Sequence, residues 1–319
     1  MKRALPAIGL FFLAPLVAEF LLGDLPINLL GALVVLAPMY GGGALLIREV
    51  VRRTGGGGPK VLALGLAFAI FEEAFTTQSL FNPNYLHLNL HLLEPAYIPA
   101  LGISIWWSLF VLTLHAVWSI SVSIALAEAL VPQRAAVPWL GRAGLVLTGL
   151  LFLLGAAAST AITLKEDSFL ATRTQFLCAG LVCVIVILAA FHLPSGQAWR
   201  GRGDGWAPSP WLVGAAALIA GSVFLLIPRQ WAWGAVGAYV LLDVTMMALV
   251  GGWSRSGGWS GSHRLALAGG AALAYAWHAF IQTPAVGSGG RVDRIGNAVF
   301  AGALIAVLAV AARRNAAQA

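Results

Sequence analysis

Two glutamates stand side by side in a strongly apolar stretch of the chain, AFAIFEEAFTTQSLF at residues 67–81. Neighbouring residues of a helix point about 100° apart, so at least one of Glu72 and Glu73 must find a polar partner inside the protein. Two crowded carboxyl groups in apolar surroundings favour a state in which one holds a proton and the other does not. The pair therefore has the chemistry of a general acid and base, or of a proton relay.

Three other ionisable residues interrupt long apolar stretches in the same way, namely His115, Asp243 and His278. Such side chains are costly in a bilayer unless they are paired or hydrated, and each is a candidate for function. At a rise of about 1.5 Å per residue, each lies about 17 to 20 Å from the predicted start of its helix. We therefore expect Glu72, Glu73 and these three residues to share one layer near the membrane midplane.

Polar residues recur at helical spacing beside these positions. Thr76 and Thr77 follow the glutamate pair, Ser119 lies four residues after His115, and Gln282 lies four residues after His278. Residues four apart lie on one face of a helix, and polar faces of membrane helices turn away from lipid. The pattern predicts a polar interior shared by three helices. Other acidic residues near span ends, Glu19, Glu49 and Glu128, are expected to pair at the membrane interface.

The same residues raise the question of a metal. Two imidazoles and one carboxylate can hold a zinc ion and leave a position open for water, so the candidate ligands are His115, His278 and Glu73. The compact H-E-x-x-H spacing is absent, which leaves a divalent metal such as zinc as an open alternative.

A second candidate metal set lies in the connecting stretch NPNYLHLNLHLLEPAYIP at residues 82–99. Its members are His87, His91 and Glu94, at spacings of four and three residues. The prolines and alternating leucines of this stretch instead favour an interfacial lid over the corner between the third and fourth spans.

The elements that must position these residues are membrane helices. The chain has 319 residues, of which 60% are apolar and 10% are charged, and its mean hydropathy is +0.86. This composition excludes an ordinary soluble domain, in which about a quarter of the residues are charged. Windows of about 20 apolar residues fit a hydrocarbon layer about 30 Å thick. Ten occur, near residues 4–22, 28–47, 61–81, 102–130, 143–163, 174–193, 210–228, 232–251, 265–286 and 295–312.

The basic residues predict the orientation of these spans. With a cytoplasmic N-terminus, the inner segments hold 14 of the 19 Lys and Arg residues, and each inner segment has at least two. We therefore predict a multi-pass protein of the cell membrane with both termini in the cytoplasm. The net charge of +7 then reflects topology and contact with anionic lipid, and it does not indicate nucleic-acid binding.

The chain reads as one all-α integral membrane domain over residues 1–319, because no large soluble domain fits between the spans. Its two cysteines, Cys178 and Cys183, lie within the sixth span and read as packing residues. Ten spans also divide into two sets of five with opposite orientation, about 1–170 and 171–319, which is the arrangement of an inverted repeat.

The motifs around the ionisable residues resemble those of an enzyme family. FEEAFTTQ, LFVLTLHAVW and YAWHAFIQ, in that order, resemble the EExxxR, FxxxH and HxxxN motifs of the CAAX-processing and bacteriocin-processing (CPBP or ABI) intramembrane proteases. The resemblance implies a helical membrane protease in which a glutamate activates water to cleave a peptide bond. It implies catalytic roles for Glu72, Glu73, His115, His278 and Gln282. This chain has Thr77 at the arginine position and Gln282 at the asparagine position.

A proton-coupled transporter of a small solute fits the same residues. The inverted division maps the third span onto the eighth and the fourth onto the ninth, which pairs Glu72 and Glu73 with Asp243, and His115 with His278. These five residues would then form a proton relay and substrate site. The sequence predicts a hydrolase, with a transporter or a structural membrane partner as the alternatives, and a peptide or small molecule within the membrane as the substrate.

Overall fold

The computed structural model describes residues 4–194, 196, 206–287 and 289–317, and helices occupy most of this part of the chain. We number the longer helices α1 to α10 in chain order. Their bounds are Leu5–Phe20, Ile27–Arg53, 58–76, Ile105–Ala129, Arg142–Glu166, Arg173–His192, Pro210–Leu226, Trp233–Trp253, Gly261–His278 and Arg291–Ala316. Between α3 and α4, the short strands β1 (Tyr97–Ile98) and β2 (Ile103–Ser104) pair in antiparallel fashion.

The all-helical membrane class is confirmed, and a helix lies at each of the ten predicted positions. Within the described part of the chain, six helices are long and apolar enough to cross a membrane (α2, α4, α5, α6, α8 and α10), while α1 and α7 are shorter apolar helices. The count of ten crossings and the cytoplasmic side of the termini stay predictions. Among the inner basic residues, Lys2, Arg3, Arg200 and Arg202 lie outside the described residues.

Burial separates inner helices from outer ones. In α4, 61% of the most apolar 18-residue window is buried within the protein, against 6% in α6 and 11% in α8. The surfaces of α6 and α8 are rich in exposed leucine, valine and isoleucine, which suits lipid as the neighbour. Helix α4 therefore lies at the centre of the bundle. Most side chains of α8 face away from the bundle, so few of them can reach a site beside α4.

Glycines let the inner helices approach one another closely. A Cβ atom at Gly41 on α2 would lie 1.9 Å from the carbonyl oxygen of Phe11 on α1, and one at Gly270 on α9 would lie 2.1 Å from the carbonyl oxygen of Gly214 on α7. No side chain fits at either position. Backbone contact of this kind stabilises helix pairs in a bilayer, where packing replaces the hydrophobic effect as the driving force.

Each of the first four helices contains a π-helical segment: Leu16–Phe20, Ala37–Gly41, Glu72–Thr76 and His115–Val122. Pro15 directly precedes the first and Pro38 lies in the second, and a proline removes one backbone hydrogen bond from a helix interior. The described residues of α5 to α10 contain no such segment. Since π-helical turns occur frequently at functional sites, they direct attention to the side chains that these four segments carry.

A buried ion-pair cluster joins the ends of α2 and α4 that are predicted to face the cytoplasm. Arg48 is fully buried, with Nη1 2.8 Å from Glu49 Oε1 and Nε 3.0 Å from Glu128 Oε1. Its guanidinium group also lies 3.3 Å from the ring centroid of Trp139. Arg52 pairs with the other oxygen of Glu128 at 2.6 Å. Glu49 and Glu128 are thus paired, as we expected, and Glu49 also accepts from the amides of Trp139 and Leu140 in the connection between α4 and α5.

Both cysteines are free, and only Cys183 has the position that we expected of a packing residue. Cys178 is exposed on α6, whereas Cys183 is partly buried, with Sγ 3.5 Å from the carbonyl oxygen of Ala67 on α3. Helix α6 therefore packs one side against the helix that carries the glutamate pair and leaves another side uncovered.

Candidate functional site

The glutamate pair lies in the last turn of α3, where the helix widens into its π-helical segment and ends at Thr76. The chain then turns back toward the helix. The amide of Thr77 donates to the carbonyl oxygen of Glu72 at 2.9 Å, and the amide of Leu80 donates to that of Glu73 at 3.3 Å. Gln78, at the turn, has a positive φ of 56°. The turn brings the polar side chains after α3 back over the two carboxyl groups.

His115 lies between the two carboxyl groups. Its Nε2 is 2.9 Å from Glu73 Oε1, and its Nδ1 is 3.5 Å from Glu72 Oε2. Nδ1 also lies 3.0 Å from the hydroxyl of Ser119, one turn further along α4. All four side chains are buried. The predicted meeting of the glutamate pair with the histidine of α4 is therefore present in the structure.

The two glutamates differ in how completely they are hydrogen-bonded. Glu73 uses Oε1 for His115, and its Oε2 accepts from Thr77 Oγ1 at 3.1 Å and from the Ser79 hydroxyl. Ser79 in turn accepts from Trp107 Nε1 at 3.0 Å. Glu72 Oε2 is buried and receives no hydrogen bond. Glu73 is thus fixed in place by its neighbours, and Glu72 retains an oxygen that is free to accept a proton.

The same three side chains form a group that can hold a metal ion. One ligand atom from each of Glu72, Glu73 and His115 lies within 4.8 Å of the other two. A nitrogen and two carboxylate oxygens suit zinc or another first-row divalent metal. To bind it, the direct contact between His115 and Glu73 would have to open. His278, the other histidine that we considered as a ligand, does not belong to this group.

Tyr40 and Glu19 border the cluster. The sequence analysis did not identify Tyr40 and placed Glu19 at the membrane interface. The Tyr40 hydroxyl lies against the carboxyl groups of both Glu19 and Glu72, and the Tyr40 ring centroid is 5.7 Å from that of His115. Glu19, which we expected to pair at the membrane interface, is partly exposed and also lies beside Tyr40 on the π-helical segment of α1. Pro15 and Pro38, each inside a predicted span shortly before these residues, were the signals of irregular helix that the sequence contained.

The structure does not bring His278 and Gln282 into the cluster. Helix α9 ends at His278, so Gln282 lies beyond the helix, where its side-chain amide donates to the carboxyl group of Asp24. Nδ1 of His278 is buried without a hydrogen bond. The expected third motif therefore borders the site near Asp24, and it does not contact the glutamate pair.

Asp243 is also apart from the cluster. It lies on the outer helix α8, is partly exposed, and accepts a hydrogen bond from Thr113 Oγ1 at 3.1 Å. The expectation that five ionisable residues share one site is thus wrong for Asp243 and His278, although Thr113 lies on the same helix as His115. The physical reason is that α8 has only one buried edge, and Asp243 meets the outer surface of α4.

The second candidate metal set does not assemble among the described residues. His91 Nδ1 lies 2.6 Å from Glu94 Oε1, but both side chains are more than half exposed, and His87 does not join them. The segment 77–104 is instead fastened through Asp167, which follows α5.

Asp167 accepts from Asn82 Nδ2 at 2.6 Å and from the amides of Leu86 and Phe169 at 3.0 Å. Burial alone would raise the pKa of Asp167, but these hydrogen bonds outweigh it and lower the pKa. The ionised carboxylate thus holds the 77–104 segment against the end of α5.

A family model described as an uncharacterized membrane protein family matches residues 10–312. The chain belongs to this family. No curated protein and no solved structure matches it. The family match supports the membrane assignment and gives no support to the resemblance with the CPBP or ABI proteases.

Within this family member, the cluster has three chemical capabilities. Glu72 can accept a proton, His115 can carry one between its two carboxylate neighbours, and Glu73 holds the imidazole in a fixed orientation. Because the three side chains are buried, these interactions are stronger than they would be at the protein surface.

Proposed function

We propose that the protein is an intramembrane hydrolase in which Glu72 and His115 activate water. The observation that carries this proposal is the unequal hydrogen bonding of the two glutamates around one imidazole. Glu73 is saturated by His115, Thr77 and Ser79, while Glu72 Oε2 faces the imidazole and receives no hydrogen bond. A base held beside an imidazole that a second carboxylate orients is the usual arrangement for general acid–base catalysis.

The hydrogen bonds assign a role to each group. Because Nε2 of His115 lies against the Glu73 carboxylate, it carries the proton that it donates there, and Nδ1 faces Glu72 and Ser119. A water oxygen attacks the substrate carbonyl carbon while Glu72 takes one of its protons. The bond from carbon to the leaving nitrogen then breaks, and that proton passes to the amine, directly or through His115. Glu73 is a positioning residue.

The substrate class comes from the motifs and the location of the site. The resemblance to CPBP proteases suggests a peptide bond, and a cluster buried among membrane helices suggests a substrate that enters from the lipid. A divalent metal held by Glu72, Glu73 and His115 would supply a Lewis acid for the same carbonyl group. In both cases the residues of the chain orient the water and handle its protons.

The transporter alternative depends on equivalence between the two halves of the chain. In an inverted repeat, the eighth and ninth helices would repeat the local structure of the third and fourth. Helices α3 and α4 each contain a π-helical segment, whereas the described residues of α8 and α9 are regular, and Asp243 and His278 lie apart from the cluster. These differences favour a hydrolase, because the site belongs to one half of the chain.

The proposal is tested with the purified full chain in liposomes. Membrane-spanning peptides are incubated with the protein, and new termini are detected by mass spectrometry, with and without a metal chelator. We expect cleavage by the native protein and none by Glu72→Gln or His115→Ala. The matched control is Glu166→Gln, an exposed acid at the end of α5, which should cleave normally. Equal cleavage by native protein and Glu72→Gln would contradict the proposal.

A pH-sensitive dye inside the same liposomes tests the alternative. The hydrolase proposal predicts no substrate-dependent proton flux across the bilayer. Flux that Glu72→Gln abolishes, in the absence of any cleavage, would establish the transporter in its place.

A further inference from the structure

Two acidic residues that the proposed mechanism does not use, Glu19 and Asp24, lie beside the cluster on the side predicted to face outward. Both are partly exposed, whereas Tyr40 and Glu72 are 3% and 1% exposed. Exposure therefore falls stepwise from Asp24 and Glu19 to Tyr40 and Glu72. A partly exposed carboxyl group that also contacts a buried site indicates a crevice that leads inward from the surface.

Backbone and side-chain contacts connect these groups with their neighbours. The Asp24 amide donates to the carbonyl oxygen of Glu19 at 3.0 Å, and the Asp24 carboxyl group accepts from Gln282. The Tyr40 hydroxyl lies between the carboxyl groups of Glu19 and Glu72. Acidic and hydroxyl groups thus follow one another from Asp24 and Glu19, at the end of α1, through Tyr40 to Glu72.

Buried polar groups along this line lack partners in the protein. The Tyr275 hydroxyl belongs to a fully buried side chain, lies within electrostatic range of Asp24 and Glu19, and makes no hydrogen bond. Glu72 Oε2 and Thr76 Oγ1, at the inner end, are also buried without a hydrogen bond. Unpaired polar groups are costly in a membrane protein interior, and water is the usual partner that satisfies them.

We propose that Asp24, Glu19 and Tyr40 line a hydrated path that connects the predicted outer surface with Glu72. The path supplies the water that hydrolysis consumes and gives protons a way out of the site. Its carboxyl lining favours water and protons and disfavours anions. The purpose of the path rests on the proposed hydrolase function, but its existence is a separate question with a separate measurement.

Hydroxyl-radical labelling of the native protein tests the path, because radicals generated in water modify the side chains that water touches. The chain provides a matched set of three buried tyrosines: Tyr40, Tyr275 and, as the control, Tyr239, which is 1% exposed and packs against Phe224. We expect Tyr40 and Tyr275 to be modified severalfold faster than Tyr239. Equal, slow modification of all three would overturn the proposal.

A variant locates the path. Glu19→Leu places an apolar side chain in it, so we expect slower modification of Tyr40 while Tyr239 stays protected. Unchanged modification of Tyr40 would show that water does not pass Glu19. Neither result depends on catalysis. A hydrated path without peptide cleavage would contradict the hydrolase proposal and support the path. Cleavage with protected Tyr40 and Tyr275 would support the hydrolase and contradict the path.

Discussion

The helices α1 to α4 and the helices α5 to α10 are both strongly apolar, but they differ in backbone regularity and in the polar side chains that they carry. Every helix of the first group contains a π-helical segment, and these segments carry Glu19, Tyr40, the glutamate pair and His115. The described helices of the second group are regular and expose long rows of aliphatic side chains. Among the described helices, π-helical backbone is therefore confined to the four that bring Glu19, Tyr40, the glutamate pair and His115 together.

The polar side chains of the two groups also differ in kind. In the second group, neutral side chains join helices by bonding to backbone or hydroxyl groups: Asn297 donates to the carbonyl oxygen of Ala279 at 2.8 Å, Asn315 to that of Ala129 at 2.9 Å, and Trp277 to Ser222 at 2.8 Å. In the first group, ionisable side chains bond to one another. Hydrogen bonds between neutral groups join membrane helices without the free-energy cost of burying a charge. Clustered carboxyl groups have that cost, so they indicate a functional site.

The largest expected effect is the loss of catalytic activity in a variant that keeps the helix packing. Glu72→Gln should lower the turnover of membrane peptides on the order of 10³-fold, since general acid–base groups typically contribute about 10² to 10⁴. The melting temperature should stay the same or rise, because the substitution removes a buried carboxyl group. Parallel measurements of cleavage and thermal unfolding check this. A drop in stability that accounts for the lost activity would mean that Glu72 has a structural role.

Removing the buried arginine should destabilise the first group of helices at the end that is predicted to face the cytoplasm. Arg48→Ala leaves Glu49 and Glu128 without their shared partner, so we expect the free energy of unfolding to fall by about 3 to 5 kcal/mol. The control is Arg142→Ala, at the exposed start of α5, which should change it by less than about 0.5 kcal/mol. Denaturant unfolding in detergent micelles measures both. Similar losses in the two variants would show that the cluster is no more important than a surface charge.

Adding one methyl group in each region compares their packing directly. Gly41→Ala forces a carbon atom into the carbonyl oxygen of Phe11, and we expect a loss of about 2 kcal/mol or more with a displaced Tyr40. Gly237→Ala, in α8, has no atom within 4 Å of the new carbon and should be neutral. The same unfolding measurement applies. A neutral Gly41→Ala would mean that α1 and α2 separate easily.

The smallest effect concerns the segment that covers the site. The pKa of Asp167 is lowered from its ordinary value of 3.8, so its stabilising effect is present above that value and is lost as the pH falls through the folded-state pKa. Asp167→Asn should cost about 1 kcal/mol at neutral pH and remove part of the acid destabilisation. Proteolysis of residues 77–104 at pH 7 and below pH 4 measures this. Native and variant proteins with identical pH dependence would contradict the assignment.

The apolar windows predicted helices at the ten observed positions, and simple rise per residue predicted that the glutamate pair meets His115. The prediction of Asp243 and His278 as site members failed because depth does not determine which way a helix faces. Tyr40 was not identified from the sequence, and its contact with Glu19 was not predicted, for a related reason. A π-helical turn holds more residues than an α-helical turn, so the 3.6-residue period no longer assigns faces beyond it.

Cys178 is exposed on α6, and Cys183 lies five residues further along, facing α3. On a helix these two thiols are about 7.5 Å apart along the axis. A paramagnetic label on each sulfur atom, read against oxygen and a water-soluble relaxing agent, would give two immersion depths on one rigid rod. The two native cysteines therefore allow the tilt of α6 relative to the bilayer normal to be measured without any substitution. Because Cys183 contacts α3, its depth also indicates the depth of the helix that carries the glutamate pair.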